Sequence, residues 1–240
     1  NGGACPSRYE ADVTVPESAV LLLSGGMDST TLLWTMREQG IRSIHTVSID
    51  YGQRHRIELQ SSQALSVTGG AVSHKVIELD LTQIGGSPLT SDQLDVPAAS
   101  DDKQIDTVVP YRNTLFVTAA AAYAETLGTS DIFISPVKDD FAAYRDCRRE
   151  FYDALEQALS LGATQETKIK IHTPFVHLRK SEVVDQGLRL GVPYHLTHTC
   201  YEGTTPACGR CDACSERIEA FKETETADPI PYAIDIDWPS

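Results

Sequence analysis

The residues whose types and spacing could do chemistry form two groups, and the first is a short loop. It reads Ser-Gly-Gly-Met-Asp-Ser-Thr from Ser24 to Thr30 and directly follows the apolar residues 19–23. Glycines let the backbone approach an anion closely, and the free N–H groups at a helix start bind phosphate. The loop therefore predicts a phosphate-binding site, with an ordinary turn capped by Asp28 or Ser29 as the alternative. No Gly-Lys-Ser/Thr follows at the spacing that a Walker A motif requires.

The second group is a cluster of four cysteines near the end of the chain: Cys200, Cys208, Cys211 and Cys214. Tetrahedral Zn²⁺ takes four such ligands, and Cys-x2-Cys spacing lets two sulfurs reach one ion at about 2.3 Å. The cluster predicts a closed, structural zinc site. A redox pair at the last two cysteines and ligation by His195 or His198 are weaker alternatives, because four sulfurs already complete the set.

Composition limits the classes of protein to which the chain can belong. Its 240 residues are 41% hydrophobic, which is ample for a sizeable core. Its apolar runs are too short to span a bilayer, and a net charge of −14 disfavours a partner bound through nucleic-acid phosphates. Clustered cysteines favour metal over disulfides and a reducing compartment, so we expect a cytoplasmic protein without a membrane or nucleic-acid partner.

Strands and helices must hold these two groups in place, and their signals alternate along most of the chain. We expect a doubly wound, mostly parallel sheet of the α/β class, with ligands at the carboxyl ends of its strands. The predicted strands are residues 19–23, 43–50, 73–79, 131–137 and 169–173. One predicted helix begins near Ser29. The other predicted helices cover residues 54–67, 113–127, 147–161, 180–190 and 212–224.

Two segments lack this alternation. Residues 87–109 are polar and contain two prolines, which predicts a long loop of the kind that often covers a binding site. Residues 223–240 contain five acids and no Lys or Arg, which predicts a tail that lies on the surface or is partly disordered. The expected division is an N-terminal extension (1–18), a catalytic domain (19–195), a zinc knuckle with its helix (196–222) and the acidic tail (223–240).

The string Ser-Gly-Gly-x-Asp-Ser resembles the PP-loop of the ATP pyrophosphatases, and the added cysteine cluster narrows the resemblance. Together they resemble the 7-cyano-7-deazaguanine synthase family over residues 19–222. Six further motifs reinforce it: Tyr51-Gly52-Gln53-Arg54-His55, Val109-Pro110-Tyr111-Arg112-Asn113, Tyr144-x-Asp146-Cys147-Arg148-x-Glu150-Phe151, Ile171-His172-Thr173-Pro174, Cys200-Tyr201-x-Gly203, and Cys208-Gly209-x-Cys211-x2-Cys214-x2-Arg217.

This resemblance implies an adenine nucleotide alpha hydrolase-like fold and an ATP-dependent carbon–nitrogen ligase of queuosine precursor synthesis. The family adenylates 7-carboxy-7-deazaguanine, lets ammonia displace AMP to give the amide, and adenylates the amide to leave the nitrile. The implied cofactors are structural Zn²⁺ and Mg²⁺ with ATP. The implied partners are these small molecules and a second copy of the chain in a homodimer.

The resemblance also assigns residues. The implied catalytic residues are Asp28, Ser29 and Arg112. ATP would be bound by Leu23, Ser24, Gly25, Gly26, Met27, Asp28, Ser29, Thr30, Thr31, Arg54 and Lys180. The deazaguanine carboxylate would be bound by Arg112, Asn113, Asp140, Tyr144, Asp146 and Arg148.

Some of these residues have plainer roles open to them. Asn113 could cap its helix, Lys180 could lie on a solvated face, and the acidic loop at 140–148 could be solvent-exposed. His55 could shuttle a proton or be a polar neighbour. Cys147 has no activating base in sequence and receives no nucleophilic role.

The stretch 134–149 departs from the family pattern. The family usually has Gly-Val at Ser135-Pro136, Ser-Gly at Ala142-Ala143, and Pro at Arg145 and Arg149. Fewer glycines and displaced prolines change the backbone freedom of the presumed base-binding loop. A divergent paralogue that transfers the activated acyl group to a protein or peptide amine is therefore an alternative. A nucleotide and zinc binding module without turnover is a second, and a tRNA-thiolating enzyme is disfavoured by the negative charge.

Overall fold

The centre of the fold is a five-stranded sheet in which every neighbouring pair is parallel. The computed structural model describes residues 15–99, 107–142, 144–164, 166 and 168–239. The strands are β1 (Ser18–Leu22), β2 (Ser43–Asp50), β3 (Ser73–Glu78), β4 (Asp131–Phe133) and β5 (Lys170–His172). Each contains at least one branched apolar residue, a type that packs well on a pleated sheet.

Six α-helices among the described residues cover both faces of this sheet. They are α1 (Met27–Glu38), α2 (Ile57–Thr68), α3 (Arg112–Thr126), α4 (Arg149–Gly162), α5 (Lys180–Arg189) and α6 (Asp212–Glu223). Alternating side chains of β1 point to opposite faces. Val20 and Leu22 join the core beneath α3, while Ala19 and Leu21 join the core formed with α1 and α5. The predicted α/β class with a parallel sheet is confirmed.

The strand order is β3-β2-β1-β4-β5. The chain therefore builds outward from β1 in one direction and then returns to build outward through β4 in the other. Open parallel sheets bind ligands where the order reverses, outside the carboxyl ends of the strands. In this chain that point lies between β1 and β4, where the predicted phosphate-binding loop follows β1.

The fourth strand is shorter than predicted, ending at Phe133 rather than residue 137. Ile134 N still donates to His172 O at 3.0 Å, but Pro136 has no N–H to continue the ladder. Short 3-10 helices follow at Lys138–Ala142 and Arg145–Cys147. The segment that departs from the family pattern is therefore compact and begins at the switch point.

The described part of the acidic tail lies largely on the surface, as its composition predicts, but one of its residues, Asp228, is buried. Asp228 and Arg217 form an ion pair in which both side chains are fully buried, with Arg217 Nε 2.6 Å from Asp228 Oδ2. Tyr232 packs with the cysteine cluster, and Trp238 packs near α6. Composition does not indicate this buried pair, because an Asp with an Arg partner looks like surface charge in sequence.

Residues 1–14 and 100–106, which include most of the predicted N-terminal extension and the middle of the predicted long loop, lie outside the described residues. The described parts of that loop contact the cysteine segment, since Ala99 N donates to Arg210 O at 2.7 Å. The predicted domain boundaries stay predictions. No helix in the described part of the chain is long and apolar enough to cross a membrane.

Candidate active site

A cavity of about 890 Å³ opens at the carboxyl ends of β1, β2 and β4. Its wall combines the loop after β1, the first turns of α2, α3 and α5, and the exposed side of α6. It therefore lies at the predicted edge of the sheet and is large enough for a nucleotide beside a second small molecule.

The loop after β1 is held in shape by its own hydroxyls. Ser24 Oγ lies 2.9 Å from Ser29 Oγ and accepts a hydrogen bond from Gly26 N at 3.2 Å. Gly25 has φ +92°, and a Cβ there would collide with the backbone of Glu58 in α2. Gly26, with no side-chain cap, precedes the first turn of α1, so the alternative of a turn capped by Asp28 or Ser29 is wrong.

Of the residues predicted to bind ATP in this segment, six line the cavity: Leu23, Ser24, Gly26, Met27, Asp28 and Ser29. Gly25, Thr30 and Thr31 do not line it. Thr30 Oγ1 donates to Gly26 O at 2.6 Å, and Thr31 Oγ1 lies 2.7 Å from the Tyr194 hydroxyl. These three residues shape and anchor the loop from behind.

Lys180 begins α5 and lies among three carboxylates of the cavity. Its Nζ is 2.8 Å from Asp140 Oδ1, 3.2 Å from Glu216 Oε2 and 3.9 Å from Asp28 Oδ2. Burial opposes its charge, but the carboxylates hold the pKa of Lys180 well above its ordinary value. Lys180 is only 9% exposed, so the solvated-face alternative is wrong.

Asp28, in this cluster, has a carboxylate oxygen that accepts no hydrogen bond from the described residues. Burial raises its pKa to about 6, with Lys180 opposing the rise. Asp28 Oδ1 is buried and has no hydrogen-bond partner among the described residues. The cluster carries more negative than positive charge, an excess that a divalent cation would balance.

Arg112 begins α3 and occupies the other side of the cavity. The phenols of Tyr51, Tyr144 and Tyr201 lie near its charge. Among the described residues, no carboxylate comes within 4.0 Å of its guanidinium to form an ion pair. A guanidinium stays charged in proteins and binds a planar carboxylate through two parallel hydrogen bonds. Arg112 can therefore receive an anionic group of a ligand.

Only some of the other residues predicted to bind the substrate line the cavity. Asn113, Asp140 and Tyr144 line the cavity, whereas Asp146 and Arg148 do not. Arg148 Nη2 instead donates to Phe141 O at 3.2 Å, and the Asp146 backbone carbonyl accepts from Asn113 Nδ2 at 3.4 Å. Asn113 is the second residue of α3, behind Tyr111, and makes no cap bond, so its cap alternative is wrong.

Arg54 lies outside the cavity and is a correction to the predicted ATP site. Its Nη1 donates to Leu94 O at 3.0 Å, and its Nε is 3.7 Å from Asp92 Oδ1. Gly52, with φ +78°, turns the chain after β2 so that Arg54 faces the loop at 87–99 instead. The side chain faces a separate, more open cavity on that side.

Sequence reasoning missed several residues that line the main cavity: Tyr51, Glu58, Tyr201, Glu216 and Glu219. A signal for two of them existed, because Glu216 and Glu219 are one helical turn apart on α6.

Burial and the nearby Arg112 lower the pKa of His55 to about 3, which keeps its ring neutral and argues against a proton-shuttle role. Burial raises the pKa of the Cys147 thiol to about 12, in line with the absence of a nucleophilic role.

The four cysteine sulfurs meet beside the cavity. The sulfurs of Cys200, Cys208, Cys211 and Cys214 all lie within 4.8 Å of one another. The Cys208 and Cys214 sulfurs are 3.9 Å apart, while sulfurs placed tetrahedrally about 2.3 Å from a zinc ion are about 3.8 Å apart. His195 is exposed, and His198 contacts the Cys200 carbonyl at 3.2 Å. The cluster fits a zinc knuckle with four sulfur ligands.

The altered segment holds its place through Arg149, where the family usually has Pro. Arg149 Nη1 donates to Ile171 O at 2.7 Å and to Thr173 Oγ1 at 3.0 Å. Its Nη2 also pairs with Asp153 at 2.7 Å. The start of α4 is thereby tied to β5, so side-chain bonds supply local order here.

Comparison with known proteins agrees with these features. The family model described as "Queuosine biosynthesis protein QueC" matches residues 18–225. A 7-cyano-7-deazaguanine synthase of Thermoplasma volcanium is 44% identical over 91% of this chain and 92% of its own. One of Clostridium kluyveri is 44% identical over 90% and 98%.

Among solved structures, NMN synthetase from Francisella tularensis overlaps at TM-score 0.49 and 16% identity, covering 88% of this chain and 79% of its own. A likeness of that degree carries no functional inference. The sequence matches confirm the family predicted from the loop and the cysteine cluster: this chain belongs to the QueC family of queuosine biosynthesis proteins.

Proposed function

We propose that this chain is an ATP-dependent ligase that converts 7-carboxy-7-deazaguanine and ammonia into 7-cyano-7-deazaguanine. Relatives named 7-cyano-7-deazaguanine synthase match this chain over 90–91% of its length. The single observation that carries the proposal is one cavity that joins the phosphate-type loop after β1 to Arg112, a cation without a described carboxylate partner. The site thus offers one place for ATP phosphates and another for a carboxylate.

The chemistry follows from the poor electrophilicity of a carboxylate. A carboxylate oxygen attacks the α-phosphorus of ATP, and pyrophosphate leaves. Ammonia then forms a bond to the acyl carbon, and AMP leaves with the former carboxylate oxygen. A second ATP activates the amide oxygen in the same way, and loss of AMP and of the N–H protons gives the nitrile. The protein must stabilise the charge that develops on each leaving group.

The described residues divide this work by position. Ser24, Gly26 and Ser29 face the phosphates with hydroxyl and backbone groups, and Lys180 neutralises their charge. Asp28 would hold Mg²⁺ through its unpartnered Oδ1, and the ion would supply charge neutralisation at the pyrophosphate. Arg112 orients the carboxylate.

Recognition of the deazaguanine ring falls to Asp140 and Tyr144 in this proposal. Both line the cavity, and the Tyr144 hydroxyl is fixed 2.9 Å from Thr107 Oγ1. A carboxylate suits the amino edge of a guanine-like base. Because Asp140 also bonds Lys180, it connects the base end of the site to the phosphate end.

The metal of the cysteine cluster is zinc in this proposal, and its role is structural because all four ligands come from the protein. The cluster is formed by the segment that carries α6, so the metal fixes the acidic wall of the cavity. We also propose a homodimer, as the family resemblance implies. A chain with four closely spaced reduced thiols suits the reducing cytoplasm.

Incubation with ATP, Mg²⁺, 7-carboxy-7-deazaguanine and ammonium, followed by mass spectrometry, tests the proposal. The nitrile is the expected product, and Asp28→Ala should abolish pyrophosphate release. AMP formation that needs the carboxylate but stalls without a protein amine would instead identify a divergent paralogue. No AMP under any condition would leave a binding module and refute the ligase.

A further inference from the structure

Glu58 stands apart from the other acids of the cavity. Asp28, Asp140 and Glu216 surround Lys180, so each shares the charge of one ammonium group. Glu58 lies in the first turn of α2, on the side of Arg112, whose charge acts on its carboxyl group. Its side chain is 13% exposed and lines the cavity.

The hydrogen bonds around Gln53 fix the position of Glu58. Gln53 Oε1 accepts from Tyr51 N at 2.8 Å, so its amide nitrogen must point the opposite way. That nitrogen donates to Ile49 O at 3.2 Å and to Glu58 Oε1 at 3.0 Å. Oε1 is thereby held as an acceptor, and the second oxygen, Oε2, is the one left for a ligand.

Among the described residues, no donor lies within hydrogen-bond distance of Oε2. His55 Nε2 is 3.6 Å away, beyond hydrogen-bond distance. The ring of Tyr51 packs 5.2 Å from that of Phe116, and the ring of His55 packs 5.7 Å from that of Tyr201. These rings line the same cavity as Glu58, and aromatic rings beside a carboxylate suit ammonia or ammonium.

Glu58 is also next to the activating loop. Its backbone carbonyl packs against Gly25 so closely that no side chain fits there. One residue thus contacts the phosphate loop through its backbone and faces Arg112 through its side chain. A carboxylate held by Arg112 and adenylated by ATP at the loop would present its acyl carbon in this corner.

The proposed reaction requires a proton acceptor at this point. When the nitrogen lone pair forms the C–N bond, the nitrogen becomes positively charged and must lose a proton before AMP can leave. In the second round the adenylated amide loses two N–H protons in turn. The nitrogen electron pair then forms the third C–N bond while the C–O bond to AMP breaks.

Building on the proposed function, we propose that Glu58 is the general base that takes these protons from the nitrogen through Oε2. In the amination, one proton passes from the nitrogen to Oε2, and the electron pair of the breaking C–O bond leaves with AMP. Glu58 returns each proton to water before the next transfer. It touches the reacting nitrogen and is therefore a catalytic residue.

The electrostatics of the corner agree with this role. Burial raises the pKa of Glu58 to about 8, with Asp50 adding to the rise and the Gln53 hydrogen bond and Arg112 opposing it. A base is most effective when its pKa lies near the working pH. His55 faces the same carboxyl but stays neutral, and Glu58 is the stronger base of the two.

Two assays on Glu58→Gln test the proposal, because the amide keeps the shape and the bond from Gln53. Carboxylate-dependent exchange of labelled pyrophosphate into ATP reports adenylation alone and should be unchanged. Single-turnover formation of the amide and nitrile should fall about 10²- to 10⁴-fold, the usual contribution of a general base. Glu78→Gln, an exposed acid at the end of β3, is the matched control and should change neither assay.

A pH profile separates a base from a merely structural residue. In the unmodified chain, the amination rate corrected for free ammonia should rise as pH increases through about 8. The groups that face Glu58 are Gln53, His55, Arg112 and Asp50, and the pKa of His55, at about 3, lies far below this range. In Glu58→Gln this rise should vanish.

Normal amination by Glu58→Gln would overturn the proposal, and so would loss of its exchange activity, because Glu58 would then act in adenylation or folding. Failure of the proposed function is a different result. It would appear as no carboxylate-dependent exchange in the unmodified chain, before any variant is compared.

Discussion

Replacing Asp228 by Asn should strongly destabilise the chain, although composition places this residue in an acidic surface tail. Asp228 accepts two bonds from Arg217, from Nε at 2.6 Å and from Nη2 at 2.9 Å, and both side chains are fully buried. It also accepts from the Tyr232 hydroxyl at 2.6 Å. The substitution leaves a buried guanidinium without a counter-charge, which costs about 3–5 kcal/mol.

For a chain of this size, each kcal/mol lowers Tm by about 2–4 °C, so the expected fall in Tm is roughly 6–20 °C. Scanning calorimetry and urea unfolding of the zinc-saturated protein measure it. Asp235→Asn is the matched control, since it removes the same charge from an exposed position of the same tail. A double variant, Arg217→Met with Asp228→Leu, should lose less stability than Asp228→Asn, because no charge is left buried.

A fall in Tm for Asp228→Asn no larger than that for Asp235→Asn would refute this reasoning. It would mean that the tail does not pair with α6 in solution. Greater loss in the double variant than in the single one would contradict the assignment of the cost to an unpaired buried charge.

Three further changes have distinct expected outcomes. Cys211→Ser should lower zinc content and Tm together, measured by metal analysis and calorimetry, and full zinc retention would exclude the four-sulfur site. Gly25→Ala should abolish pyrophosphate exchange, because its Cβ would strike the Glu58 backbone; Gly40→Ala, with φ +88° and open space, carries the same backbone strain and should leave exchange intact. Arg112→Lys should raise KM for the carboxylate about 10- to 100-fold with little change for ATP, because a bidentate bond of about 1.5–3 kcal/mol is lost; equal effects on both would contradict its assignment.

Elements whose signals are local could be predicted from the sequence. The strand at Ser43–Asp50 begins and ends where its periodicity does. The phosphate loop and the cysteine cluster were also predictable, because spacing along the chain alone brings their ligands together. The length of the strand after Ser130 was overestimated. Its apolar pattern continues to residue 137, but Pro136 has no N–H with which to extend the hydrogen-bond ladder of the sheet.

Features that depend on contacts across the fold could not be predicted. Arg54 and Glu58 are four residues apart, yet one faces away from the cavity and the other into it. The turn at Gly52 and the packing of α2 against Gly25 decide this, and neither is visible in residue types. The burial of Asp228 likewise depends on a partner in α6 that sequence spacing does not indicate.

The central claim is that one cavity activates the same carboxyl group twice. The most direct measurement uses 7-carboxy-7-deazaguanine with both carboxylate oxygens labelled with ¹⁸O, together with ATP and ammonium. The account predicts two AMP molecules per nitrile, each carrying one labelled oxygen in its phosphate. Unlabelled AMP, or label that remains in the deazaguanine product when AMP release is complete, would contradict it.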